Sequence, residues 1–336
     1  MTAERAGRSR RRRIVIGVML LVLAAVFVLT LTVGQSVTPI GDVIRVIMGE
    51  RVPGASFTVG TLRLPRATLS IVTGLCFGLG GVAFQTMLRN PLASPDIIGI
   101  SASASAAAVF AIVILSLTGP AVSAFAIAGG LGIAILIYLL SFREGVVGAR
   151  IILIGIGLAA MLHSFIAYVL SRAAAWDYND ALRWLTGSVN GATWGEVLPA
   201  LAALVIFGGM LLGRSRALEM LRLGDDTAAA LGVRVSRTRI VVLVAAVGLI
   251  SFATAAAGPI AFVAFLSGPI AARIVRRNGP LLVPGALVGA LLVLLCDYAG
   301  QFLLGTRYPV GVVTGALGAP FLIYLIVRAN RAGGSL

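Results

Sequence analysis

The chain of 336 residues contains no lysine; all 27 of its basic residues are arginine. A Walker-type phosphate loop needs its lysine on the phosphates, so no ordinary ATP-hydrolysing motif is present. Histidine occurs once, at His163, and cysteine twice, at Cys76 and Cys296. That supply cannot build a standard zinc site or a disulfide framework. Both cysteines fall in apolar runs and read as small packing residues. No G-x-S-x-G elbow occurs, and His163 has no nucleophile beside it in sequence. It reads as a helix-contact residue rather than a ligand. Charge is scarce too: 12% of residues are charged, against roughly 25% in soluble domains. A chain with so little charge cannot cover a water-facing surface, and its missing motifs argue against catalysis.

What the chain has instead is apolar length. Hydrophobic residues make up 59% and the mean hydropathy is +1.04. A membrane span takes about 20 apolar residues, and ten such runs are predicted: 14–34, 67–88, 97–116, 119–141, 150–171, 195–214, 238–257, 259–275, 281–302 and 310–328. The eighth is broken by Gly258, Pro259, Gly268 and Pro269. Spans must satisfy their own backbone, so the expected class is an all-α integral membrane bundle. It forms one membrane domain over 1–336, with a basic N-terminus at 1–13.

The formal net charge of +15 comes from topology, not from nucleic-acid binding. With the N-terminus in the cytoplasm, twenty arginines fall inside: Arg5, Arg8, Arg10 to Arg13, Arg89, Arg143, Arg150, Arg214, Arg216, Arg222, Arg234, Arg237, Arg239, Arg273, Arg276, Arg277, Arg328 and Arg331. Seven fall outside: Arg45, Arg51, Arg63, Arg66, Arg172, Arg183 and Arg307. This is the positive-inside bias, and it puts both termini in the cytoplasm. The opening "RSRRRR" precedes a run of full span length with no small-residue cleavage site, so it reads as an uncleaved first helix.

Ionisable residues inside spans mark coupling sites in secondary transporters. Only Asp297 and His163 qualify here. Asp297 has two readings, a proton carrier or a hydrogen-bonding helix contact, and the second is favoured. Glycine is abundant, at 41 residues, with G-x-x-x-G at Gly74/Gly78, Gly285/Gly289 and Gly311/Gly315. Such spacing lets helix backbones approach closely.

One stretch between the sixth and seventh runs, "LGDDTAAALGV" (Leu223 to Val233), is too short and too polar to cross. Asp225 and Asp226 suit a helix N-terminus, the alanines favour helix, and Gly232 is placed to end it. The stretch resembles the L-G-(D/E)-(D/E)-x-A-x-x-L-G coupling helix of the ATP-binding-cassette permeases that import iron siderophores, haem and cobalamin. Four further motifs are similar to that family's, in its order: "RLPR" (Arg63 to Arg66), "RNPLASPDIIGIS" (Arg89 to Ser101), "WLTGS" (Trp184 to Ser188) and "YPVGVVTGALGAPFLIYLI" (Tyr308 to Ile326). Together they cover about residues 60 to 330. One departure stands at "FVAFLSGPIAAR" (Phe262 to Arg273), where the family's F-V-G-L-x-x-P-(H/Q)-I-A-R has its proline one position earlier and a polar residue after it.

The resemblance implies a type II importer permease working as half of a pair, with a second copy or a paralogue. Its coupling-helix loop, 216–236, would dock on a cytoplasmic ATPase dimer holding ATP and Mg, and this chain would carry no cofactor or metal. Contacts to that ATPase are expected from Leu223, Gly224, Asp225, Asp226, Ala229, Leu231, Gly232 and Val233. Arg63, Arg66 and Arg307 match positions that pair with glutamates of an extracytoplasmic binding protein, a use that suits the directional guanidinium group. Headgroup contact is their alternative use. Polar residues in or beside spans that could line the path are Gln85, Asn90, Ser101, Ser103, Ser164 and Thr314. "NPLASPDIIG" is nearest the ferric-catecholate branch; haem and cobalamin are alternatives within the same architecture. A proton-coupled transporter using Asp297 is the reading from another class, and a membrane enzyme using His163 is more distant.

Overall fold

Backbone groups in a membrane must bond within their own segment, and every apolar run of this chain becomes a helix. A computed structural model describes residues 2–96, 98–141, 148–276 and 279–331, and among these there is no strand. The helices are α1 (Thr2–Thr32), α2 (Ile40–Ile47), α3 (Leu64–Met87), α4 (Ile100–Val113), α5 (Pro120–Ser141), α6 (Gly148–Ser171), α7 (Ala175–Leu185), α8 (Trp194–Ala203), α9 (Gly209–Gly213), α10 (Ser215–Leu221), α11 (Asp225–Ala230), α12 (Val235–Ala257), α13 (Val263–Val275), α14 (Leu282–Phe302) and α15 (Val310–Arg331). Wider π turns at Ser56–Arg63 and Leu204–Gly208 lead into α3 and join α8 to α9.

Seven helical segments are long and apolar enough to cross a membrane, among the described residues, and three shorter apolar helices accompany them, Ile100–Val113, Val263–Val275 and Val310–Leu325. These are the ten expected spans in the expected order. The third and eighth are shorter than predicted because non-helical stretches precede them: residues 88–96 form turns ahead of α4, and the Gly258–Pro259 break delays α13 to Val263. The helix α1 starts at Thr2, so the basic N-terminus extends the first span rather than preceding it as a tail; arginine is a good helix former. Of the inner arginines, Arg143 and Arg277 lie outside the described residues, as do the side chains of Arg5, Arg8, Arg150, Arg328 and Arg331 and the motif residue Ile97.

At the centre is α3, buried along nearly its whole length. It packs on α14 through two glycine motifs that meet each other. A Cβ at Gly74 would lie 2.5 Å from the Gly289 carbonyl oxygen, and one at Gly78 would strike the Gly285 carbonyl. Small residues at both faces thus set the backbone separation. The third motif differs: Gly311 meets the Thr186 carbonyl, while Gly315 faces open space.

Two polar helices go beyond the expected spans. The helix α2 is amphipathic, with Ile40, Ile44 and Ile47 exposed and Val43 buried. The helix α7 carries the exposed Trp176 and Tyr178, the residue types of membrane-interface belts.

Candidate coupling face and transport path

At the end of the bundle where α3 stops, α10 and α11 form a helical hairpin outside the spans. Leu218, Leu221 and Ala228 bury its inner side. The chain enters α11 through Gly224 at φ +107° and leaves through Gly232 at φ +83°. Both values lie in the left-handed region where glycine alone carries no Cβ penalty. The end of α11 is a Schellman motif: Gly232 N–H donates to Ala229 O at 2.9 Å and Val233 N–H to Ala228 O at 2.9 Å. The backbone is therefore sealed, and the side chains are left to make contacts. Leu223 is 63% exposed and Leu231 56%, with Asp226 and Ala229 also exposed between them. Two apolar knobs flanking a six-residue helix, with a carboxylate between them, are suited to a cleft in another protein.

Asp225 points the other way. Its Oδ1 accepts from Arg239 Nη2 at 2.9 Å and from Arg89 Nη2 at 3.5 Å. The sequence reading grouped Asp225 with Asp226; the structure separates them, one inward and one outward.

At the opposite end, where α3 begins, both arginines of "RLPR" hold partners within the chain. Arg63 Nη1 donates to Leu31 O at 2.9 Å and Thr32 O at 3.2 Å, and its Nη2 donates to Ser36 O at 2.7 Å. It closes the turn that follows α1. Arg66 grips Asp297 with two bonds, Nε to Oδ2 at 2.9 Å and Nη2 to Oδ1 at 2.7 Å. Its third nitrogen, Nη1, donates to Asn190 Oδ1 at 2.7 Å. Gln301 adds a bond to Asp297 Oδ2 at 3.0 Å. Asp297 therefore sits in a hydrogen-bonded ion pair that ties α3 to α14 and to the loop after "WLTGS". That loop is fixed by backbone bonds as well, Ser188 N–H to Ala257 O at 2.7 Å and Gly311 N–H to Gly187 O at 3.0 Å. Arg307 is exposed.

Two cavities follow one another along the bundle. The first, of about 830 Å³, is lined by Asp177, Asp180, Arg183, Trp184, Glu196 and Gly258 among others. The second, of about 770 Å³, begins at the next residues, Leu185 and Pro259, and reaches Ser94, Asp96, Ser101 and His163. Its wall comes from α4, α6, the start of α13, and Leu322 of α15. Asp96 accepts from Ser101 Oγ at 2.5 Å and Ser94 Oγ at 3.2 Å. Burial pushes the carboxyl above its ordinary range, against the pull of those two hydroxyls.

Of the six polar residues expected to line the path, Ser101 alone borders this cavity. Gln85 and Asn90 border a smaller recess of about 350 Å³. Gln85 Nε2 donates to Phe265 O at 2.9 Å, and Asn90 Oδ1 accepts from Leu92 N–H at 2.8 Å. Ser103, Ser164 and Thr314 bond to the carbonyls of Gly129, Ala160 and Gly311, a common use of hydroxyls in membrane helices. His163, read from sequence as a helix contact, borders the cavity. Ser94, Asp96 and Ser105 went unremarked; the acidic Asp96 inside a quoted motif was the available signal.

Comparison with known proteins agrees with this architecture. The FecCD transport family matches residues 20–328. The ferric enterobactin transport system permease protein FepG of Escherichia coli (strain K12) is 37% identical over 95% of this chain and 98% of that protein. The achromobactin transport system permease protein CbrC of Dickeya dadantii (strain 3937) is 35% identical over 94% and 92%. A solved structure, an inward-facing conformation of a putative metal-chelate type ABC transporter, superposes with a TM-score of 0.84 at 25% identity over 94% and 99%. The fold is that of type II ABC importer permeases, and the chain belongs to the FecCD transport family.

Proposed function

We propose that this chain is the membrane permease subunit of an importer for a ferric siderophore, driven by ATP hydrolysis on a separate subunit. The exposed Leu223–Val233 hairpin carries the reading: it is a rigid protein-binding knob on a bundle otherwise made for lipid. The permeases FepG and CbrC, similar over nearly the whole chain, support the siderophore class. ATP and Mg belong to the ATPase dimer that receives the knob. Closure of that dimer levers the hairpin, and the bundle opens and closes the path.

The cavity of about 770 Å³ is this subunit's share of the path. The helices α6 and α15, with Leu153, Met161, Leu317 and Ile323 exposed, flank it and receive the second permease subunit. Its wall is mostly apolar, which lets a wide chelate pass without a deep binding site; iron stays inside its chelator. On the outer side Arg307 makes the first contact with the substrate-binding protein, and Arg63 and Arg66 join it only by exchanging internal partners for the binding protein's carboxylates. Both termini face the cytoplasm, in line with the arginine bias.

The test is uptake of a ferric siderophore by the reconstituted importer. Gly224→Leu with Ala229→Trp would block entry to the ATPase cleft. Uptake is expected to fall by tenfold or more, with the ATPase no longer stimulated by loaded binding protein. Wild-type uptake by that variant would contradict the reading.

A further inference from the structure

We infer that Asp225, with Arg89 and Arg239, forms the joint that passes coupling-helix motion into the membrane helices, while Asp226 alone of the adjacent pair serves the ATPase. The inference rests on the coupling-helix reading above and names the residues that make that helix a lever.

Three elements converge on one atom. Arg239 reaches Asp225 Oδ1 from the second turn of α12, and Arg89 reaches the same oxygen from two residues past the end of α3. Both α12 and α3 belong to the buried centre of the bundle. Arg239 is 18% exposed at its side chain and Asp225 40%, so this arm is half-buried while the Arg89 arm, 45% exposed at the arginine, is open to solvent. Among the described residues the α10–α11 hairpin has few other polar ties to the bundle; its other ion pair, Arg222 with Glu219, stays within the hairpin. Asp226 is exposed and makes no ion pair among the described residues.

Backbone geometry at Arg89 points the same way. Here α3 ends in the same bonding pattern as α11, with Arg89 N–H to Thr86 O at 3.3 Å and Asn90 N–H to Gln85 O at 3.1 Å. The left-handed position of that motif favours glycine, and α11 uses Gly232 there. At the end of α3 it is Arg89, at φ +54°. A side chain kept in a conformation that penalises it is held for what the side chain does, and this one reaches the coupling helix. Pulling α11 therefore pulls the end of α3 and the start of α12 together. Through the glycine contact with α14, α3 carries the displacement across the bundle.

The test uses the full importer, this chain co-purified with its second permease subunit and ATPase, in proteoliposomes with the binding protein and ferric siderophore. Asp225→Asn is expected to leave ATPase co-purification and thermal stability unchanged while the number of chelates moved per ATP falls by tenfold or more. Asp225→Glu should recover most of that ratio, and the swap Asp225→Arg with Arg239→Asp part of it. Asp226→Asn should instead weaken retention of the ATPase and leave the ratio in assembled complexes intact. The joint is overturned if Asp225→Asn keeps the wild-type ratio, or if it releases the ATPase as Asp226→Asn does. Wild-type chain that never retains an ATPase would sink the coupling-helix reading itself, a separate outcome.

Discussion

Replacing Asp297 by asparagine would remove one charge from a pair that the fold has taken out of water. Asp297 is 1% exposed at its side chain and Arg66 15%. Deleting one partner of a buried pair costs about 3–5 kcal/mol, because the other charge stays behind without compensation. Arg66 keeps a little solvent and its bond to Asn190, so Asp297→Asn belongs near the low end, about 3 kcal/mol. The double variant Arg66→Met with Asp297→Leu removes both charges and fills the space with apolar atoms; such replacements are often neutral, and a cost of about 1 kcal/mol or less is expected. The single variants Arg66→Met and Asp297→Leu each leave a buried charge unpaired, at about 3 kcal/mol apiece, so the coupling energy from this cycle should reach about 5 kcal/mol. Equilibrium unfolding in mixed detergent micelles, followed by circular dichroism, measures it. Amide exchange at residues 186–193 should also quicken in Asp297→Asn, since Asn190 hangs from the same guanidinium. Additivity of the two single variants within about 0.5 kcal/mol would refute the pair as a tie between α3 and α14.

Gly78→Leu drives a side chain into the Gly285 backbone; overpacking costs about 1–3 kcal/mol and often more, so yield and thermal stability of the purified chain should drop sharply, whereas Gly315→Ala, in open space, should not. Cys76 and Cys296 are both buried and should resist a membrane-permeant maleimide in the folded chain, reacting only after denaturation, a difference read by mass spectrometry. Arg307→Glu should weaken binding-protein docking several-fold, with the loss shrinking as salt rises over the range where the Debye length shortens to about 8 Å; surface plasmon resonance on the nanodisc-embedded complex checks this.

Much of the bundle was legible because its signals are local. A run such as 238–257 must become a helix wherever it lies, and "LGDDTAAALGV" declares its start, its length and its glycine stop within eleven residues. The meeting of Gly74/Gly78 with Gly285/Gly289 was half legible: each motif announces close approach, but neither names its partner. What could not be read were relations between distant residues. Arg66 and Asp297 lie 231 positions apart, so the sequence offers a hydrogen-bonding helix contact for Asp297 without naming Arg66 as its partner. Asp225 and Asp226 are neighbours in sequence, yet the helix turn between them sends one to Arg239 and the other to solvent. The helix α2 was legible in hindsight, since Ile40, Val43, Ile44 and Ile47 repeat at helical spacing; it is too short to register as a span. Asp96 escaped notice because its surroundings, and not its motif, place it on a cavity wall.

The most direct measurement is protection of the hairpin by its motor. A single cysteine at Ala229→Cys, an exposed position on α11, can be labelled in inside-out vesicles with and without the ATPase bound. Labelling should be rapid in the bare permease and slowed at least tenfold in the assembled importer, with cross-linking to the ATPase and not to lipid. Equal labelling in both, with no cross-link to any companion protein, would contradict the claim that this chain is moved through residues 223–233.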